Sequence, residues 1–148
     1  IRAPQAAGNG TASPRVVVFV DIYPTVMELA ALAPTHALSG QSLGPLLTDP
    51  IAAWDSNAVT QVLRPSDDRL STPVMGRSIR TERWRYTDWE EGVRGEELYD
   101  HYGDPMEFNN LAVEPDAEAR AVIARLRPLM KAKASGKIPT TPINQTRL

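Results

Sequence analysis

Met75-Gly76-Arg77-Ser78-Ile79-Arg80-Thr81, then Glu82-Arg83, then Trp84-Arg85-Tyr86-Thr87-Asp88-Trp89 is the stretch on which the fold turns. Both flanks carry β-branched and aromatic residues, which suit a pleated, half-buried surface. Glu82 and Arg83 are the only residues left to reverse the chain, so the pattern predicts two antiparallel strands joined by a two-residue turn. Neither residue is of the Asn-Gly type that such turns favour. Side chains alternate across a strand, so Trp84 and Tyr86 share one face. Burial of the indole there against a helix would remove a large apolar area from water. Arg80 lies on the neighbouring strand, where an acid such as Glu97 or Asp100 is expected to pair with it. Arg80 and Trp84 are both read as structural.

Working outward, Ala58 to Leu63 and Glu96 to Asp100 read as the flanking strands, and Gly92 to Gly95 suits the connection before the last. Asp116 then caps a helix whose stripe Ala119, Val122, Ile123, Leu126 and Met130 would cover one sheet face. Pro128 sits inside that helix and should kink or end it. On the other side, Arg15 to Val20 is a short apolar run and reads as a buried strand. Asp21 would cap a helix over 22–32, with Pro24 harmless in its first turn. Ile22, Val26, Leu29 and Ala30 share one face of it, and Pro34 ends it. A short helix is expected over 44–47, and Gln5 to Pro14 reads as a surface loop. The predicted fold class is α+β, with an antiparallel sheet of about four strands covered by a C-terminal helix.

The chain has 148 residues, 42% of them hydrophobic, with thirteen prolines and a net charge of −2. That charge gives no case for nucleic acid or an anionic membrane as partner. The arginines at 77, 80, 83 and 85 are offset by nearby acids, as on a solvated sheet face. There is no cysteine, which excludes disulfides, thiolate metal sites and a cysteine nucleophile. No apolar run is long enough for a membrane helix. The only histidines are His36 and His101, and neither has a partner at metal-ligand spacing. Ser66-Asp67-Asp68 reads as a hydrated turn, and Asp104-Pro105 starts another. Asn9-Gly10-Thr11 and Asn144-Gln145-Thr146 fit the glycosylation sequon, a pattern that chance often supplies. From these residues alone no reaction can be written, and a non-catalytic binding module for a glycan or protein stands as one reading.

Longer strings carry a second reading. Val20-Asp21-Ile22-Tyr23-Pro24-Thr25, running on to Leu29-Ala30, resembles the sulfatase segment VDIYPTLLDLAG. Gly40-Gln41-Ser42-Leu43 with Pro45-Leu46-Leu47 resembles the G-x-S-L-x-P-L-L that follows it. The stretch Met75 to Trp89 resembles the family's R-T-x-x-Y-R-Y strand pair. Glu97-Leu98-Tyr99-Asp100, Asp104-Pro105, Glu107 and Asn110-Leu111-Ala112 resemble ELYD-x-x-x-DP-x-E-x-x-NLA. The four pieces stand in family order over about residues 1–130. The strand pair looks most like the iduronate-2-sulfatase-like branch.

The resemblance implies the C-terminal part of a sulfatase of the alkaline-phosphatase superfamily. Residues 1–50 would end the α/β catalytic domain, 51–134 would form the antiparallel-sheet subdomain, and 135–148 would be a mobile tail. It implies formylglycine, made from C/S-x-P-x-R, and Ca²⁺ for the full-length enzyme, with the nucleophile and the ligands lying before Ile1. No catalytic or metal-binding residue carries over, so the fragment alone is expected to be inactive. The implied partners are the upstream catalytic domain and a sulfated carbohydrate. Export to the periplasm or outside the cell is implied, with a signal peptide upstream. Gln61-Val62-Leu63-Arg64 resembles the Q-Y-P-R of the iduronate-sulfatase-like branch, with Val62 and Leu63 replacing its Tyr and Pro. Arg64 is therefore the one substrate-binding candidate, as a partner for a carboxylate or sulfate. Residues 1 to about 20 are expected to expose an apolar strand edge.

Overall fold

Strand β1 (Asn57–Arg64), β2 (Val74–Thr81), β3 (Trp84–Trp89) and β4 (Glu96–Asp100) form one antiparallel sheet in the order β1-β2-β3-β4. The computed structural model describes residues 1–55, 57–65 and 72–135. The β2–β3 turn is the two-residue Glu82-Arg83 connection. The Thr81 side chain closes it. Its Oγ1 accepts the Trp84 amide at 2.9 Å and lies 3.2 Å from the Trp84 carbonyl. A side chain thus holds a reversal for which the turn residues have no special preference.

Directly opposed residues share a face. The pairs Ile79–Tyr86 and Tyr86–Leu98, with Trp84, put one row of large side chains on one side of the sheet. Helix α3 (Ala117–Ala134) covers that side with Ala119, Val122, Ile123, Leu126 and Met130. Tyr86, Ile79, Leu98 and Met130 are fully enclosed. Asp116 caps α3 as expected, its Oδ1 accepting the Ala119 amide at 2.8 Å. Pro128 does not end the helix, which continues to Ala134. Pro128 and Ala124, whose carbonyl the proline leaves without a helical donor, are both exposed, so water can serve that oxygen. Met130, two residues further on, anchors the continuation in the core. The tail expected over 135–148 lies outside the described residues beyond Ser135.

The amino-terminal expectations need correction. The run from Arg15 to Val20 is not a strand. The chain instead makes a 3-10 turn at Phe19–Asp21, with Phe19 91% exposed. A strand needs a neighbour for its main-chain groups, and among the described residues none lies alongside. Asp21 precedes helix α1 (Ile22–Leu29) but does not cap it. Its carboxylate accepts the Val18 amide at 3.0 Å and the Gln41 amide at 3.0 Å. Helix α1 stops three residues short of Leu32. Ala31 takes a left-handed φ of 54°, the Leu32 amide bonds back to the Met27 carbonyl at 2.9 Å, and the Ala31 amide to Glu28 at 3.0 Å. This is a Schellman ending with alanine where glycine is usual. Only Pro24 and Thr25 of α1 are buried, so Ile22, Val26 and Leu29 lie open on its surface.

Thr25 Oγ1 accepts the Leu43 amide at 2.8 Å, tying α1 to the segment that leads into α2 (Gly44–Thr48). The 5–14 loop is stapled at its base, since the Asn9 side chain bonds both main-chain groups of Ala3, at 3.2 and 2.6 Å. Arg15 joins this region to the sheet turn, with Glu82 at 2.8 Å and the Ala52 carbonyl at 2.9 Å.

Candidate functional site

Alternation along the strands sends a second set of side chains to the face away from α3. Thr60, Val62 and Arg64 come from β1, Gly76 and Ser78 from β2, Arg85, Thr87 and Trp89 from β3, and Glu97 from β4. They line an open groove. Gly76 pairs with Trp89 across the β2–β3 ladder. A methyl group on Gly76 would stand 2.5 Å from Cζ3 of the indole, so the ring lies flat on the glycine backbone. The other face of the ring carries Arg64, whose guanidinium carbon is 4.4 Å from the ring centroid. Trp89 Nε1 donates to Glu97 Oε1 at 3.1 Å. Arg64 itself is exposed and has no ion pair among the described residues.

Beside this groove the charges are paired. Arg85 bonds Glu107 and packs 5.3 Å from the centroid of Tyr99. Glu107 also takes His101 Nε2 at 2.6 Å. Arg80 finds no acid among the described residues. Its Nη1 donates to the carbonyls of Thr81 and Trp84, while Asp100 is taken bidentately by Arg83 at 3.0 and 2.7 Å and Glu97 by Trp89. The expected pairing of Arg80 with Glu97 or Asp100 is therefore corrected. Glu97 lies on the groove face with Arg80 but two ladder positions away, and Asp100 points to the α3 face. Burial lowers the Arg80 pKa from its ordinary value. The Arg83 hydrogen bonds hold the Asp100 carboxyl below the usual range.

On the α3 side one acid is enclosed. Asp88 has 0% exposure, and neither carboxylate oxygen has a hydrogen-bond partner among the described residues. Burial pushes its pKa up, against the pull of Arg77 and Lys131. Those two cations are engaged by Glu91, at 3.7 and 2.6 Å. Tyr86 OH donates to Glu96 at 2.6 Å and accepts from Arg127 Nε at 3.1 Å.

These facts place the residues singled out from sequence. Arg64 lies at the groove. His36 is exposed, 3.3 Å from the Thr35 hydroxyl, and His101 is held by Glu107. Ser66-Asp67-Asp68 lies outside the described residues. No group of three or more His, Asp or Glu could hold a metal ion among the described residues, and the sequence has no C/S-x-P-x-R. The described residues therefore fit neither Ca²⁺ nor formylglycine.

Sequence reasoning missed Gly76, Trp89 and Glu97 as the surroundings of Arg64. A glycine inside a strand was the available signal, since it often marks close approach of another group.

The motif residues prove to be staples. Asn110 Oδ1 accepts the Leu98 and Ala112 amides, both at 3.0 Å, and its Nδ2 donates to the Glu96 carbonyl at 3.1 Å. With the Leu111 amide on the Leu98 carbonyl at 2.9 Å, this segment covers the outer edge of β4. Asp104 Oδ2 accepts the Asn109 amide at 2.8 Å. The sheet of this order is backed by one helix and edged by these staples. The family model described as N-sulphoglucosamine sulphohydrolase, C-terminal, matches residues 1–135, and the chain belongs to that family. It is 36% identical over 109 residues to a Delta 4,5-hexuronate-2-O-sulfatase of Bacteroides thetaiotaomicron, covering 70% of this chain and 22% of that protein. It is 33% identical over 110 residues to arylsulfatase K of Gallus gallus, covering 67% and 19%. A solved structure of a 2-O GAG sulfatase superposes with a TM-score of 0.62 at 31% identity, over 78% of this chain and 24% of the other. The chain thus spans about a fifth of the length of the curated relatives it matches.

Proposed function

We propose that this chain forms the C-terminal portion of an enzyme that hydrolyses sulfate esters on a sulfated glycan, with Arg64 contacting an anionic group of the substrate. The observation that carries the reading is the exposed Arg64 guanidinium, stacked on Trp89 and free of any acid among the described residues. An arginine held flat and unpaired at a groove presents N–H groups in the fork that matches a carboxylate or sulfate. Family membership supplies the reaction class. The named action of a relative on hexuronate 2-O-sulfate supports a uronate-bearing substrate, in keeping with the iduronate-2-sulfatase-like branch.

In this reading the sulfur chemistry belongs to a catalytic domain that precedes these residues. Formylglycine and Ca²⁺ would be held there, and the whole enzyme would act after export. The open apolar surface of Phe19, Tyr23, Val26 and Leu29 supports packing of α1 against that domain. The residues of this chain then bind and orient substrate. In the full-length enzyme, Arg64→Ala should raise KM for a sulfated uronate disaccharide about tenfold or more while kcat changes little, as loss of a charged hydrogen-bonded contact predicts. An unchanged KM would remove Arg64 from the substrate site.

A further inference from the structure

We infer that Trp89 is a positioning residue that sets the plane of the Arg64 guanidinium for a substrate oxyanion, by way of a cradle built from Gly76 and Glu97. This deepens the reading of Arg64 as a substrate contact and rests on it.

The indole has no free face. Gly76 backs one side at a distance no side chain would allow, and Arg64 covers the other at 4.4 Å. Trp89 is therefore not a platform on which a sugar ring could stack. Its rotation in the plane is fixed by the 3.1 Å bond from Nε1 to Glu97 on the neighbouring strand. Ring and carboxylate are anchored on β3 and β4, both inside the sheet ladder. The guanidinium on top inherits that orientation. An unrestrained arginine would lose side-chain freedom on binding, whereas a stacked one has already lost most of it. Stacking uses the face of the guanidinium and leaves its N–H edge available, and the edge is what a pair of oxyanion oxygens reads. The Glu97 carboxylate accepts the indole N–H and makes no ion pair with Arg64 among the described residues.

The ligand chemistry is thus an oxyanion substituent of the substrate other than the ester being cleaved. A uronic carboxylate and a second sulfate share that chemistry. The test uses the full-length enzyme with a sulfated disaccharide that bears a uronic carboxylate and a second sulfate. Two controls are its carboxyl-reduced form and its form lacking the second sulfate, and a third is a simple aryl sulfate. Trp89→Ala should raise KM for the parent disaccharide about three- to tenfold, with kcat nearly unchanged. The aryl sulfate should be turned over as before. Arg64→Ala/Trp89→Ala should be no worse than Arg64→Ala alone, because the indole acts only through the guanidinium. Trp89→Phe keeps a ring under Arg64 and should fall between wild type and Trp89→Ala. The control disaccharide on which the variants lose their effect identifies the oxyanion. A thermal midpoint for each variant separates positioning from folding, and Trp89→Phe serves if Trp89→Ala does not fold. If Arg64→Ala raises KM but both Trp89 variants match wild type, the positioning role is wrong and the Arg64 reading stands. If Trp89→Ala impairs the aryl sulfate equally, the indole is merely structural. If Arg64→Ala itself is silent, both readings fall.

Discussion

Trp84 and Arg80 show how two neighbouring residues of one motif divide their work. Trp84 is 5% exposed in the core under α3, so Trp84→Ala should lower stability by about 3–5 kcal/mol. Among the described residues Arg80 bonds only carbonyls flanking the β2–β3 turn, so Arg80→Ala should lower it by about 1–2 kcal/mol, well short of a broken buried ion pair. Denaturant midpoints of the two variants check that ordering. Asp88 calls for a different measurement. It is faced by Arg77 from β2, Glu96 from β4, Glu91 from the β3–β4 turn and Lys131 from α3, and its folded pKa is raised. A raised folded pKa gives stability that is full below the unfolded pKa and is lost as pH climbs through the folded one. Asp88→Asn should therefore match wild type in acid and exceed it increasingly toward neutral pH. A constant difference across that range would show that Asp88 titrates alike folded and unfolded. Asp100, with its pKa lowered by Arg83, works with the opposite sign and loses its contribution as pH falls. Arg64 was singled out as a candidate from a motif, but the residues around it were not. That Gly76 stands opposite Trp89 follows from ladder register, which a linear sequence does not display.

Elements fixed by local signals were readable in advance. The bounds of β3 and β4 agree with the alternation of their residues, and Asp116 caps α3 through its own side chain. Those decided by distant or unusual partners were not. Arg15 to Val20 has strand composition without a neighbouring strand, and α1 ends through a left-handed Ala31 that nothing in its side chain announces. Pro128 belongs with these, since its tolerance depends on which way it faces. Pro128→Ala restores one helical N–H and should stabilise α3, by up to about 3 kcal/mol if the surrounding helix is regular. Unfolding of the variant at equal or lower denaturant would show that the helix is already adapted to the proline.

At the scale of the whole molecule, apolar exposure is uneven. Phe19, Val20, Tyr23, Val26, Leu29 and Leu32 are each half exposed or more, close together in sequence around α1. The described chain in isolation should self-associate through this surface, and replacing Phe19 and Val26 by serine should lower the apparent mass in light scattering. A monodisperse monomer at high concentration would count against it. The β2–β3 reversal carries the last consequence. Its strands need only two residues to meet, against six between β3 and β4 and nine between β1 and β2. Every pairing in the sheet joins strands adjacent in sequence, so little chain entropy opposes any of them, and least opposes this one. The hairpin around Thr81 is thus the natural nucleus of folding, with α3 docking afterwards. Thr81→Ala should mainly slow refolding, whereas Leu126→Ala in α3 should mainly speed unfolding.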